Sequence, residues 1–66
     1  MQIILNGEAV DIPDALSVAQ LIEHLALGQR RVAVELNREI VPKSRHAETP
    51  VSAGDVVELV TAIGGG

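Results

Sequence analysis

Sixty-six residues with no cysteine and no aromatic side chain exclude a second core, a disulfide staple, a Cys-ligated zinc, an iron–sulfur cluster and a thiol nucleophile. The core has to be aliphatic, and with 47% apolar residues the composition is that of a folded domain rather than a disordered chain. A net charge of −4 and the lack of any ring to stack on a base argue against nucleic acid and against anionic membrane surfaces.

The chain opens with the β-favouring run Gln2 to Leu5, followed at once by Asn6-Gly7. Both residues tolerate positive φ, so the pair predicts a type I′ hairpin. The return strand runs from Glu8 to Ile12, with Val10 and Ile12 on one face, and Pro13-Asp14 ends it. A helix start comes next. Ser17 is placed to cap, Gln20 sits at the capping-box position, and Leu16 and Leu21 have the spacing of a hydrophobic staple. Val18, Leu21, Ile22 and Leu25 form one apolar stripe, with Gln20, Glu23 and His24 off it. Gly28 is placed to end a helix of about ten residues.

Val32, Val34 and Leu36 alternate as a third strand, Asn37-Arg38-Glu39 reads as a turn, and Ile40-Val41 leaves room for a very short strand before Pro42. Lys43 to Pro50 has no period and reads as a loop with a helical turn. Ala53-Gly54-Asp55 predicts a turn, and Val56 to Ala62 the last strand. This order, with a single helix, predicts an α+β fold: a mixed sheet of four or five strands with the helix packed across one face. Residues 1–62 form the domain and 63–66 a flexible glycine tail.

No catalytic or metal-binding constellation is visible. His24 lies on the polar flank of the helix and His46 in a loop, and both read as solvent-exposed. The serines lack a strand-to-helix elbow, and no helix follows Gly64-Gly65-Gly66 to make a phosphate loop. The five cations Arg30, Arg31, Arg38, Lys43 and Arg45 fall in the middle third and read as ordinary solvated surface. The N-terminus lacks a signal-peptide pattern, and no apolar run approaches the roughly 20 residues of a membrane span, so the expected place is the cytoplasm.

What remains is the ending Ile63-Gly64-Gly65-Gly66. Glycine has no Cβ, so such a tail enters a channel too narrow for side chains. Fully extended, four residues reach about 13 Å, enough to enter another protein's active site. The carboxylate at Gly66 is inert until activated, and adenylation by a partner is the natural first step. Read alone, the same glycines suit a frayed end equally well.

These segments together resemble a known family. Met1-Gln2-Ile3-Ile4-Leu5-Asn6-Gly7, the central Val32-Ala33-Val34-Glu35-Leu36-Asn37 with Ile40-Val41-Pro42, the Gly54-Asp55 turn and the Ala62-Ile63-Gly64-Gly65-Gly66 ending are similar to the ThiS family. These are the ubiquitin-like β-grasp sulfur carriers of thiamine (thiazole) biosynthesis. The resemblance implies a protein co-substrate rather than an enzyme, with no cofactor of its own. It implies that Gly66 is adenylated by an E1-like ATP-dependent adenylyltransferase. Sulfur from a cysteine desulfurase or another persulfide donor then makes a C-terminal thiocarboxylate, which surrenders its sulfur in thiazole synthase. By the same resemblance Gly65, Gly64 and Ile63 form the thin approach, with Gly64 a spacer before the family's diglycine pair. If Ile3 and Leu5 face the helix, Ile4 points out of the opposite sheet face, where Val56 or Val60 would join it as a partner-docking patch. Two other readings stay open at this point: a molybdopterin-pathway sulfur carrier, and a ubiquitin-like interaction module or modifier.

Overall fold

The computed structural model describes residues 1–27 and 31–61. The elements are β1 (Gln2–Leu5), β2 (Glu8–Asp11), helix α1 (Val18–His24), β3 (Val32–Leu36), β4 (Glu39–Val41), a 3-10 turn at Lys43–Arg45, and β5 (Val56–Thr61). The strands form one sheet in the order β2-β1-β5-β3-β4. β1 and β5 run parallel at the centre, and the other pairs are antiparallel. This is the mixed sheet with one helix that the alternation predicts.

Two tight hairpins frame the sheet. Asn6 and Gly7 take φ of 48° and 83°, the I′ geometry expected of that dipeptide. Asn37 and Arg38 do the same at 51° and 71°, without a glycine. The second turn is therefore two residues long, and Glu39 already belongs to β4.

Period-two alternation sends Ile3, Val34, Val57 and Leu59 to one face, where they are buried with Val18 and Leu21 of α1, Ile12 and Val51. Every amide of the helix's first turn has a partner. Ser17 Oγ accepts from Gln20 N at 3.1 Å, and Gln20 Oε1 accepts from Ser17 N at 2.8 Å, completing the capping box. Val18 N donates to the Thr49 carbonyl, Ala19 N to the His46 carbonyl, and Leu21 N to the Ser17 carbonyl. The 46–51 loop is thus stitched to the start of the helix, and Val51 N returns a bond to the Leu16 carbonyl.

The helix is shorter than its pattern suggests. It spans seven residues, is capped by Leu25, and turns at Ala26, whose φ is 56°. Leu25 and Leu27 both pack against the core. In a continuing helix, residues two apart point in nearly opposite directions, so the reversal at Ala26 is what brings both inward. The predicted terminator Gly28 lies outside the described residues, as do Ala62 of the predicted last strand and the tail from Ile63 to Gly66.

One expectation is overturned. His46 is not exposed but 8% accessible, with Nε2 3.0 Å from the Val41 carbonyl. A carbonyl only accepts, so Nε2 carries the proton in this contact. The ring ties the end of the 3-10 turn to β4 as a structural side chain. His24, by contrast, is exposed as predicted.

Candidate functional site

Two candidate regions come from the sequence: the tail and the outer sheet face. Gly66, Gly65, Gly64 and Ile63 lie outside the described residues. The structure does define the strand that leads to them. β5 is the central strand, bonded to β1 on one side and β3 on the other. Beyond Leu5 the β1 backbone turns away, and the Asn6 side chain takes over its role. Leu59 N donates to Asn6 Oδ1 at 2.8 Å, and Asn6 Nδ2 donates to the Leu59 carbonyl at 3.3 Å. With Asn6 N on the Val57 carbonyl at 2.9 Å, one residue carries the pairing of β5 as far as Leu59, seven positions before Gly66.

A second asparagine does the same at the other end of β5. Asn37 N donates to the Val56 carbonyl at 2.7 Å, Val56 N donates to Asn37 Oδ1 at 2.9 Å, and Asn37 Nδ2 reaches Asp55 Oδ1 at 3.1 Å. The two hairpin-tip asparagines therefore clamp β5 from opposite sides. In the sequence both read only as turn residues. Their φ preference is local, whereas the clamps span 53 and 19 positions and depend on the sheet order.

The outer face is as predicted for Ile4, Val56 and Val60. Ile3 is fully buried and Leu5 packs against the core, so Ile4 points the other way. Its register partner on β5 is Val56, and across β1 it faces Ala9. Val56 is 41% exposed and Val60 65%. The face also holds Ile40 of β4, 77% exposed, which the strand pattern by itself does not assign to this patch. Ile40 pairs with Glu35, Glu35 with Glu58, and Ala33 with Val60. Four large aliphatics and two alanines therefore share a surface with Glu35 and Glu58.

Among the described residues no three His, Asp or Glu side chains gather at a spacing that would hold a metal ion. No described helix is long and apolar enough to cross a membrane. Among the described residues the one displaced titration is that of Asp14, whose carboxylate lies 2.8 Å from the Met1 ammonium. That hydrogen bond, and then the ammonium's charge, hold Asp14 below the ordinary value of 3.8. The pair fastens the N-terminus beside Ile12, whose carbonyl accepts from the same ammonium at 2.6 Å.

Comparison with known proteins fits this geometry. The ThiS family model matches residues 3–66. The sulfur carrier protein ThiS of Escherichia coli is 35% identical over 66 residues, covering all of both chains. A thiazole synthase of Paramagnetospirillum magneticum is 44% identical over the same 66 residues, and this chain spans only 20% of that protein's length. The crystal structure of the thiamine biosynthesis protein ThiS from Geobacter metallireducens superposes with a TM-score of 0.85 at 33% identity, covering all of both chains. Sequence, β-grasp topology and matched span agree, and the chain belongs to the ThiS family.

Proposed function

We infer that this chain is a sulfur carrier of thiamine biosynthesis, with residues 1–62 as its body and 63–66 as the working tail. The observation that carries the reading is the family match, which runs through residue 66 and takes in the whole glycine ending. A coextensive sulfur carrier and a coextensive thiamine-biosynthesis structure support it. In this reading the protein is a co-substrate and its partners do the chemistry.

The Gly66 carboxylate oxygen attacks the α-phosphate of ATP in an E1-like adenylyltransferase, and pyrophosphate leaves. A persulfide, formed by a cysteine desulfurase or another donor, attacks the acyl-adenylate carbonyl and AMP leaves. A second thiol then cleaves the S–S bond, leaving the thiocarboxylate on Gly66 and a disulfide on the donor side. Sulfur in place of oxygen gives a softer nucleophile that stays ionised at neutral pH. Thiazole synthase is the acceptor, and the cytoplasm the compartment. Gly65 and Gly64 leave the approach free of side chains, so the carboxyl carbon can reach a confined nucleotide site. Ile63 joins the tail to the body.

Ile4, Val56 and Val60 supply the docking surface for the adenylating enzyme. Exposed aliphatics grouped on one sheet face are the kind of patch that marks a partner site. The test is carrier-dependent exchange of labelled pyrophosphate into ATP by the adenylating enzyme. The reading expects exchange with the full chain and none after deletion of Gly66. Equal exchange with the deleted chain overturns it.

A further inference from the structure

The outer sheet face carries an arrangement that folding alone does not favour. Glu35 of β3 and Glu58 of β5 are direct register partners, and both are exposed. Like charges opposite each other on neighbouring strands destabilise the pairing. Among the described residues neither carboxylate has an ion-pair partner. The pair lies between Val56 and Val60 along β5 and beside Ile40 across β3. It is thus a doubly negative spot framed by aliphatic side chains. A domain of this size has little stability to spare for such a repulsion.

We propose that this face docks a protein surface presenting one arginine within an apolar contact, carried by the enzyme that adenylates the tail. The proposal rests on the sulfur-carrier reading and adds the chemistry of the partner. A guanidinium has five donors in a planar fork, enough to bond both carboxylates at once, and it loses less hydration than an ammonium when the apolar rim closes around it. Charge also excludes the simplest other occupant. A second copy placed face to face would bring four carboxylates together, so the aliphatic rim does not serve a symmetric dimer. The adenylating enzyme must hold the anionic phosphates of ATP beside an anionic tail, and the cations this requires make its carrier-facing surface complementary in sign to the pair.

The test uses Glu35→Gln with Glu58→Gln, which keeps side-chain shape and removes both charges, and Glu58→Lys, which creates a cross-strand ion pair with Glu35. For each, the carrier's KM in the pyrophosphate-exchange assay is measured at about 50 and 500 mM salt, together with the Tm. Both variants are expected to melt higher than the parent, because the repulsion is gone, while KM at low salt rises at least about tenfold and loses most of its salt dependence. A KM within about twofold of the parent overturns the proposal. A lower Tm accompanying the higher KM also overturns it, since the pair would then be acting through the fold. If the parent chain supports no exchange at all, the sulfur-carrier reading fails and this inference with it; exchange that ignores both variants removes only the inference.

Discussion

The Asn6 clamp offers the sharpest test of how the fold holds β5. Asn6 plays two parts that substitution can separate: it takes φ of 48° in the turn, and its amide bonds both backbone groups of Leu59. Asn6→Gly keeps the backbone freedom and loses the amide. Two partly buried hydrogen bonds at about 0.5–1.5 kcal/mol each set the expected loss at roughly 1–3 kcal/mol. Asn6→Ala loses the same bonds and, unlike the glycine variant, keeps a Cβ in the left-handed region without the short polar side chain that lets asparagine settle there, adding about 1 kcal/mol more. A domain of this length is held by roughly 3–10 kcal/mol in all, so either variant is severe. At about 4–8 °C per kcal/mol, the glycine variant should melt at least about 4 °C below the parent, and the alanine variant lower again. Thermal and urea unfolding followed by far-UV circular dichroism give both numbers. Amide hydrogen exchange at Leu59 should accelerate in each. An unchanged Tm in Asn6→Gly would refute the clamp, and equal Tm values for the two variants would refute the turn contribution.

Other expectations follow from the same geometry. Leu21 is fully buried against the sheet, so Leu21→Ala should cost about 2–5 kcal/mol and leave much of the chain unfolded at 37 °C by circular dichroism. His46→Ala strips the Val41 carbonyl of its partner and opens a gap beneath the 46–51 loop; a loss of about 1–3 kcal/mol in urea titration is expected, against a change within about 0.5 kcal/mol for the exposed His24→Ala. Arg38 sits at φ of 71°, so Arg38→Gly should raise stability by about 0.5–1 kcal/mol, and a fall would show that the Arg38 side chain contributes more than its backbone strain. Asp14 titrates below its ordinary value because the Met1 ammonium favours the carboxylate, so its contribution is complete above the unfolded value of 3.8 and is lost as pH falls through the lower folded value. Melting curves from pH 6 to below pH 3 should show that acid-limb loss in the parent and less of it in Asp14→Asn.

Much of the fold is legible because local and global signals coincide. Asn6-Gly7 dictates its hairpin, Ser17 and Gln20 dictate their helix start, and the alternation of Val32, Val34 and Leu36 separates core face from outer face. Ile4 could be placed on the outer face from parity alone. Ile40 could not be judged exposed until β4 was seen at the sheet edge with only β3 beside it. Three features depend on contacts far apart in sequence. His46 looks like any loop histidine until the chain folds back to put its ring under Val41. The helix stops at Leu25 because the core needs both Leu25 and Leu27, a demand invisible in a period that still counts correctly. The Glu35–Glu58 pairing is a matter of register between β3 and β5: alternation assigns each carboxylate to the outer face, but only the sheet order sets them opposite each other. The glycine ending is readable as chemistry only through its likeness to a family, since three glycines by themselves specify no structure.

The central claim is that Gly66 carries sulfur. Intact-protein mass spectrometry after incubation with the adenylating enzyme, ATP and a persulfide donor tests it most directly, with the Gly66-deleted chain in parallel. The expected result is the mass gain of one oxygen-for-sulfur exchange, confined to the C-terminal peptide, dependent on ATP and absent from the deleted chain. An unchanged mass, with an enzyme shown to load another carrier, would contradict it.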